Sequence, residues 1–219
     1  MKDNQPKHRQ RSRENLKLDR KNAYRKQYPT ALIACEGKKT EPNYILGFVE
    51  DFQLTPNVRV IRGESDSDAL SIVKRARESF CRSPDYDRVF VLMDGDQRNL
   101  AKAIEACKTP IQQSNKRKGL EKIVIEPIVT VPCFEYWLLL HFLYTDRPYT
   151  DCDNVVNDLI GYLPEYQKGD RLIYKKLKSG LMQATENVDL LKQSLLSSNS
   201  EYPNTDMHIL IRALFDMRR

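Results

Sequence analysis

The chain has 219 residues, 40% of them hydrophobic and 30% charged, with a mean hydropathy of −0.62 and a formal net charge of +6. That length suits one domain of ordinary size, or one domain with a helical appendage. No run approaches the roughly 18 apolar residues of a membrane span, and the basic N-terminus lacks the apolar stretch of a secretory signal.

In chain order, residues 1–28 form a basic arm, with ten Lys/Arg against three Asp/Glu, a charge of +7 that leaves −1 for everything after it. Such an arm attracts phosphate backbones by releasing their counterions; a solvated leader is the other reading. The composition changes at Thr30. Ala31–Cys35 is a short apolar run bounded by Pro29 and Glu36-Gly37, and reads as a buried strand. Thr40-Glu41-Pro42-Asn43 opens a helix that runs through Phe52. Val58–Ile61 is a second strand, Asp66–Phe80 an amphipathic helix, and Val89–Met93 the clearest strand, ending in Asp94-Gly95-Asp96. A helix over Asn99–Cys107 and a strand over 123–129, broken by Pro127, complete an alternating pattern. This rhythm predicts an α/β fold with a mostly parallel sheet flanked by helices over 29–131. Residues 132–219 read as a helical C-terminal region packed on the same domain, with helices over 133–143, 151–161, 184–196 and 206–215.

The five cysteines (Cys35, Cys81, Cys107, Cys133, Cys152) show no CxxC spacing, which argues against a zinc knuckle or a thioredoxin motif. They are expected to be reduced thiols in the cytoplasm, with Cys35 and Cys133 in the core.

Asp94-Gly95-Asp96 carries the chemistry. In extended backbone, residues i and i+2 point to the same side, so two carboxylates converge just past a strand end. Ligand sites in open α/β sheets lie there. Mg²⁺ takes a few carboxylates and leaves room for water and phosphate. Glu36 ends the first strand; beside 89–93 in a parallel sheet it would reach the same edge. Glu41 opens the next helix and either shares that cleft or simply caps its helix.

An apolar strand ending in Glu-Gly, a βα unit and a strand ending in Asp-x-Asp resemble the Toprim domain. Cys35–Tyr44, Asp94–Asp96, Pro132–Phe142, Tyr166-Gln167-Lys168 and Asn204–His208 resemble, more closely, the RloB family of bacterial proteins over nearly the whole chain. The resemblance implies a Toprim-like fold and a metal-dependent nuclease of an antiviral defence system, paired with an ATPase. On it, Glu36 is metal ligand or general acid/base, Asp94 and Asp96 are Mg²⁺ ligands (Mn²⁺ as substitute), and Glu41 is a second-metal ligand. Lys38 departs from relatives that carry an acid there, so no third carboxylate is expected in that loop.

Glu135 is a further metal-ligand candidate, or an acid at a helix start. Lys168 is a candidate for stabilising phosphate charge, or a solvated surface lysine. His141 reads as a hydrogen-bonded, partly buried side chain, and His208 as structural. The implied substrate is nucleic acid, RNA (tRNA among it) or DNA. The alternatives are a non-catalytic nucleic-acid-binding partner of a defence ATPase and, less favoured, a nucleotidyl transferase. No Walker A motif is present, so any ATPase would be a separate chain.

Overall fold

A computed structural model describes residues 28–64, 68–96, 99–115 and 119–218. The basic arm therefore lies outside the described residues, Tyr28 apart. Five strands, β1 (Ala31–Cys35), β2 (Val58–Ile61), β3 (Arg88–Asp94), β6 (Ile125–Val131) and β7 (Asn204–Thr205), make one sheet in the order β2-β1-β3-β6-β7. Every pairing is parallel except β6 with β7. A separate antiparallel hairpin, β4 (Ile111–Asn115) with β5 (Gly119–Ile123), precedes β6.

The strands show continuous apolar runs because helices cover both faces of the sheet. Ala31, Ile33, Cys35, Phe90, Leu92 and Ile128 face one core; Leu32, Ala34, Val89, Val91, Met93 and Ile125 face the other. The second core is completed by α2 (Ala69–Arg82) and α3 (Leu100–Lys108). The first is completed by α1 (Thr40–Asp51) and the C-terminal helices α4 (Glu135–Leu139), α5 (Cys152–Tyr162), α6 (Ile173–Leu177), α7 (Leu181–Ser198) and α8 (Met207–Asp216). Two of the helices start on aspartate caps: Asp68 accepts from Ser71 N–H at 2.8 Å and Asp151 from Asn154 N–H at 2.9 Å.

Tyr44 is the centre of the first core. Its ring meets Phe134, Trp137, His141 and Tyr174 edge-on. His141 is buried, with Nδ1 3.0 Å from the Trp137 carbonyl and Nε2 2.9 Å from the Tyr44 hydroxyl. A carbonyl only accepts, so Nδ1 carries the proton and Nε2 accepts from Tyr44.

Three expectations change. The helix predicted over 133–143 is only α4, and the chain turns after Leu139. Its residues are buried on all sides, so the sequence carries no polar stop signal; Asn187 Nδ2, from α7, instead donates to the Leu140 carbonyl at 2.8 Å. The broken strand predicted over 123–129 is the end of β5 followed by an unbroken β6 that contains Pro127. Val129 N–H and C=O point to Asp206, away from β3. Pro127, two residues earlier, points its donorless nitrogen the same way, so the β3 ladder loses nothing. Cys133 is not a thiol: it is disulfide-bonded to Cys152, joining the entry of α4 to the start of α5, whereas Cys35 is a buried free thiol as expected. Among the described residues, no helix is long and apolar enough to cross a membrane.

Candidate metal centre

The parallel register of β1 and β3 brings the first two acids together. Cys35 lies opposite Leu92, and Glu36 N–H donates to the Leu92 carbonyl at 3.2 Å. The Glu36 carboxylate then turns to the end of β3 and accepts from Asp94 N–H at 3.4 Å. Gly95 N–H donates to the carbonyls of Thr130 (2.8 Å) and Pro132 (3.0 Å), which ties the acidic turn to the end of β6. Gly95 is needed for close approach rather than for a left-handed turn: a Cβ there would lie 2.5 Å from Val131 Cγ2.

Glu41, in the first turn of α1, folds back so that Gly37 N–H donates to its carboxylate. Asp94 Oδ1 accepts from Phe134 N–H at 2.9 Å. The next residue, Glu135, starts α4; its Oε1 accepts from the Tyr166 hydroxyl at 2.7 Å and lies 3.8 Å from Lys168 Nζ. Its Oε2 is 3.4 Å from Cys152 Sγ, a plain contact while that sulfur is in a disulfide.

A cavity of about 350 Å³ is lined by Gly37, Lys38, Lys39, Thr40, Glu41, Asp94, Phe134, Glu135, Lys168 and Gly169. Of the six residues singled out in the sequence, Glu41, Asp94, Glu135 and Lys168 thus surround one space. Glu36 sits buried beside Asp94 without lining the cavity, and Asp96 is exposed on the turn beyond. A larger cavity of about 720 Å³, lined by residues of α7 and α8 and by Arg218, holds the Arg212–Asp189 ion pair and none of these acids.

Crowding sets the electrostatics. Burial raises the Glu36 pKa to about 7, with the Asp94 N–H opposing and the charges of Asp96 and Asp68 adding. Burial also raises Glu41, against the Gly37 N–H and reinforced by Glu36 and Glu135. Asp94 is pushed well above the carboxylate range, by burial first and then by Glu41, Glu135, Glu36 and Asp96. These acids share one field, and a divalent cation would relieve it.

The donor set is all oxygen, which fits Mg²⁺ or Mn²⁺ rather than a softer metal. Among the described residues, the one group with ligand atoms all within 4.8 Å of one another is Cys133, Glu135 and Cys152, whose sulfurs are bonded together. Among the described residues no three of the acids meet that spacing, whereas oxygens about 2.1 Å from one Mg²⁺ lie at most about 4.2 Å apart, so loading an ion would draw these side chains inward or use bridging waters.

Tyr166, Thr40, Asn43 and the Phe134 N–H are contributors without an individual role in the sequence reading. Thr40, Asn43 and Tyr166 lie in the Thr40–Tyr44 and Tyr166–Lys168 motifs, whereas a backbone N–H such as that of Phe134 has no signal in the sequence. His141 stays out of the cleft, within the Tyr44 core.

The family model for RloB-like proteins matches residues 31–214, from the first residue of β1 into α8. The chain belongs to the RloB-like family. In this RloB-like chain, all five acids and Lys168 fall inside the matched span. No curated protein and no solved structure matches it.

Proposed function

We propose that this RloB-like protein is a Toprim-type, Mg²⁺-dependent nuclease of a bacterial antiviral defence system. It hydrolyses phosphodiester bonds in RNA, tRNA included, or in DNA, in the cytoplasm and alongside a partner ATPase. The observation that carries this reading is the convergence of Glu41, Asp94 and Glu135 with Lys168 on one cavity, with Glu36 buried behind Asp94.

Asp94, Asp96, Glu41 and Glu135 would hold one or two Mg²⁺ or Mn²⁺ ions. A bound ion neutralises phosphate charge and makes a water more acidic. Glu36, buried beside Asp94, would serve as a further metal ligand or as the acceptor of the attacking water's proton. Lys168, which lines the cavity, would pair with a phosphate oxygen as negative charge builds up there. The basic arm would hold the polymer backbone with little readout of bases.

The test is incubation of purified protein with labelled tRNA and DNA, with Mg²⁺, Mn²⁺ or chelator. Wild type should cleave only with a divalent cation, while Glu36→Gln and the Asp94→Ala/Asp96→Ala pair should fold and not cleave. Full activity in those variants would sink the proposal. Metal-independent binding without cleavage by wild type would favour the non-catalytic partner.

A further inference from the structure

Lys168 reaches the cleft on a short strap between α5 and α6, far in sequence from the acids. By itself the lysine is poorly held. Its side chain is 63% exposed, and one ion pair at 3.8 Å to Glu135 does not fix so flexible a group. The backbone around it is held firmly. Gly169 N–H donates to Thr40 Oγ1 at 3.0 Å. Asn43 Nδ2 donates to the carbonyls of Gly169 at 2.9 Å and Asp170 at 3.3 Å.

Asn43 is itself buried and held from the other side, since Arg62 donates to its Oδ1 at 3.0 Å and to the Lys38 carbonyl at 3.1 Å. Gly169 has φ +87°, and a Cβ there would lie 2.7 Å from Lys39 Cδ, so the strap lies flat against the start of α1. At the strap's other end, Tyr166 holds Glu135. The residues that open α1 thus grip both the N–H and the C=O of Gly169, the residue that follows Lys168.

We propose that Thr40 and Asn43 are positioning residues: they lock the Gly169 turn and thereby hold the Lys168 ammonium over the place of the phosphate. This rests on the nuclease reading above. Neither residue touches the reacting atoms; each acts through Lys168. A purely architectural role would also use these hydrogen bonds, but its loss would add to the loss of Lys168 instead of being masked by it.

The experiment is steady-state cleavage by full-length wild type, Thr40→Val, Thr40→Ser, Asn43→Ala and Lys168→Ala, with Thr40→Val and Asn43→Ala repeated in the Lys168→Ala background. Thr40→Val and Asn43→Ala should each lower kcat about tenfold, as misplacement of a charged group does, with KM nearly unchanged. In the Lys168→Ala background each should cost less than about twofold. Thr40→Ser, which keeps the acceptor, should restore the wild-type rate. If Asn43→Ala unfolds, Thr40→Val and its serine counterpart carry the test.

Losses that multiply in the Lys168→Ala background, a Thr40→Val enzyme at the wild-type rate, or a Lys168→Ala enzyme without a defect would each overturn this inference and leave the nuclease reading standing. A wild type that cleaves neither RNA nor DNA would overturn both.

Discussion

The Tyr166 hydroxyl donates to Glu135 Oε1 at 2.7 Å, across 31 residues of chain and inside the protein. This bond joins the strap that carries Lys168 to the helix that carries the last acid of the cleft. It also gives a buried carboxylate a neutral donor where its nearest lysine is 3.8 Å away. Tyr166→Phe removes the donor and leaves the ring. A hydrogen bond to a charged group contributes about 1.5–3 kcal/mol, so the variant should unfold at lower urea concentration with an unchanged m-value. Equal midpoints would show that Glu135 finds another donor.

Cation binding should stabilise the protein. The buried acids repel one another, and an ion that binds only the folded state adds about 2.7 kcal/mol at a hundredfold excess over its Kd. Thermal melts with added Mn²⁺ or Mg²⁺ should shift upward and return with chelator. The Asp94→Ala/Asp96→Ala pair should show no shift. A shift of wild-type size in that pair would place the ion elsewhere.

His141 gives a signed pH dependence. Burial lowers its pKa to about 4 from an ordinary value of about 6.5. Between those values the unfolded chain binds the proton and the folded chain does not. The contribution of His141 to stability is therefore complete above about pH 6.5 and is lost as pH falls towards 4. Glu36, Glu41 and Asp94 act in the opposite sense, because their raised pKa values make the folded state the better proton binder above the ordinary carboxylate range. Comparing wild type with His141→Gln cancels the carboxylates, which both proteins share. The stability advantage of wild type over the variant should shrink from pH 7 to pH 5 in urea titrations; a constant difference would refute the buried neutral imidazole.

The Cys133–Cys152 disulfide closes a loop with a sequence separation of 19 residues. Restricting the unfolded chain over that length is worth about 3 kcal/mol. Cys152→Ser, or treatment with a dithiol reductant, should lower the melting temperature by several degrees. A reductant should have no further effect on the variant. Thiol titration of the unfolded, unreduced protein should find Cys35, Cys81 and Cys107 free and the other pair blocked. Five reactive thiols would mean that the bond does not form.

The sheet was legible because its signals are local. A short apolar run bounded by Pro, Gly or Asp turn signals reads as a buried strand, and Ala31–Cys35 and Val89–Met93 both lie inside observed strands. Glu36 and Asp94 could be placed together from sequence, since two such strands side by side in parallel bring their ends to one edge. The hairpin before β6 escaped because Gln112-Gln113-Ser114-Asn115 shows no apolar alternation. The short α4 was overextended because a helix buried on every side has no polar face to mark its end.

The amino-acid sequence alone determined the alternation of strands and helices, the two acidic strand ends, the basic arm and the family resemblance. Tertiary structure alone decided that β1 and β3 are neighbours and that Glu135 and Lys168 join their acids. Glu135 comes to Asp94 because the Phe134 N–H binds the Asp94 carboxylate, and Lys168 comes to the cleft because Gly169 and Asp170 bond to Thr40 and Asn43, which lie 126 to 129 residues earlier. No periodicity encodes contacts of that range; they exist only once the apolar faces of α1 and the C-terminal helices have packed into one core.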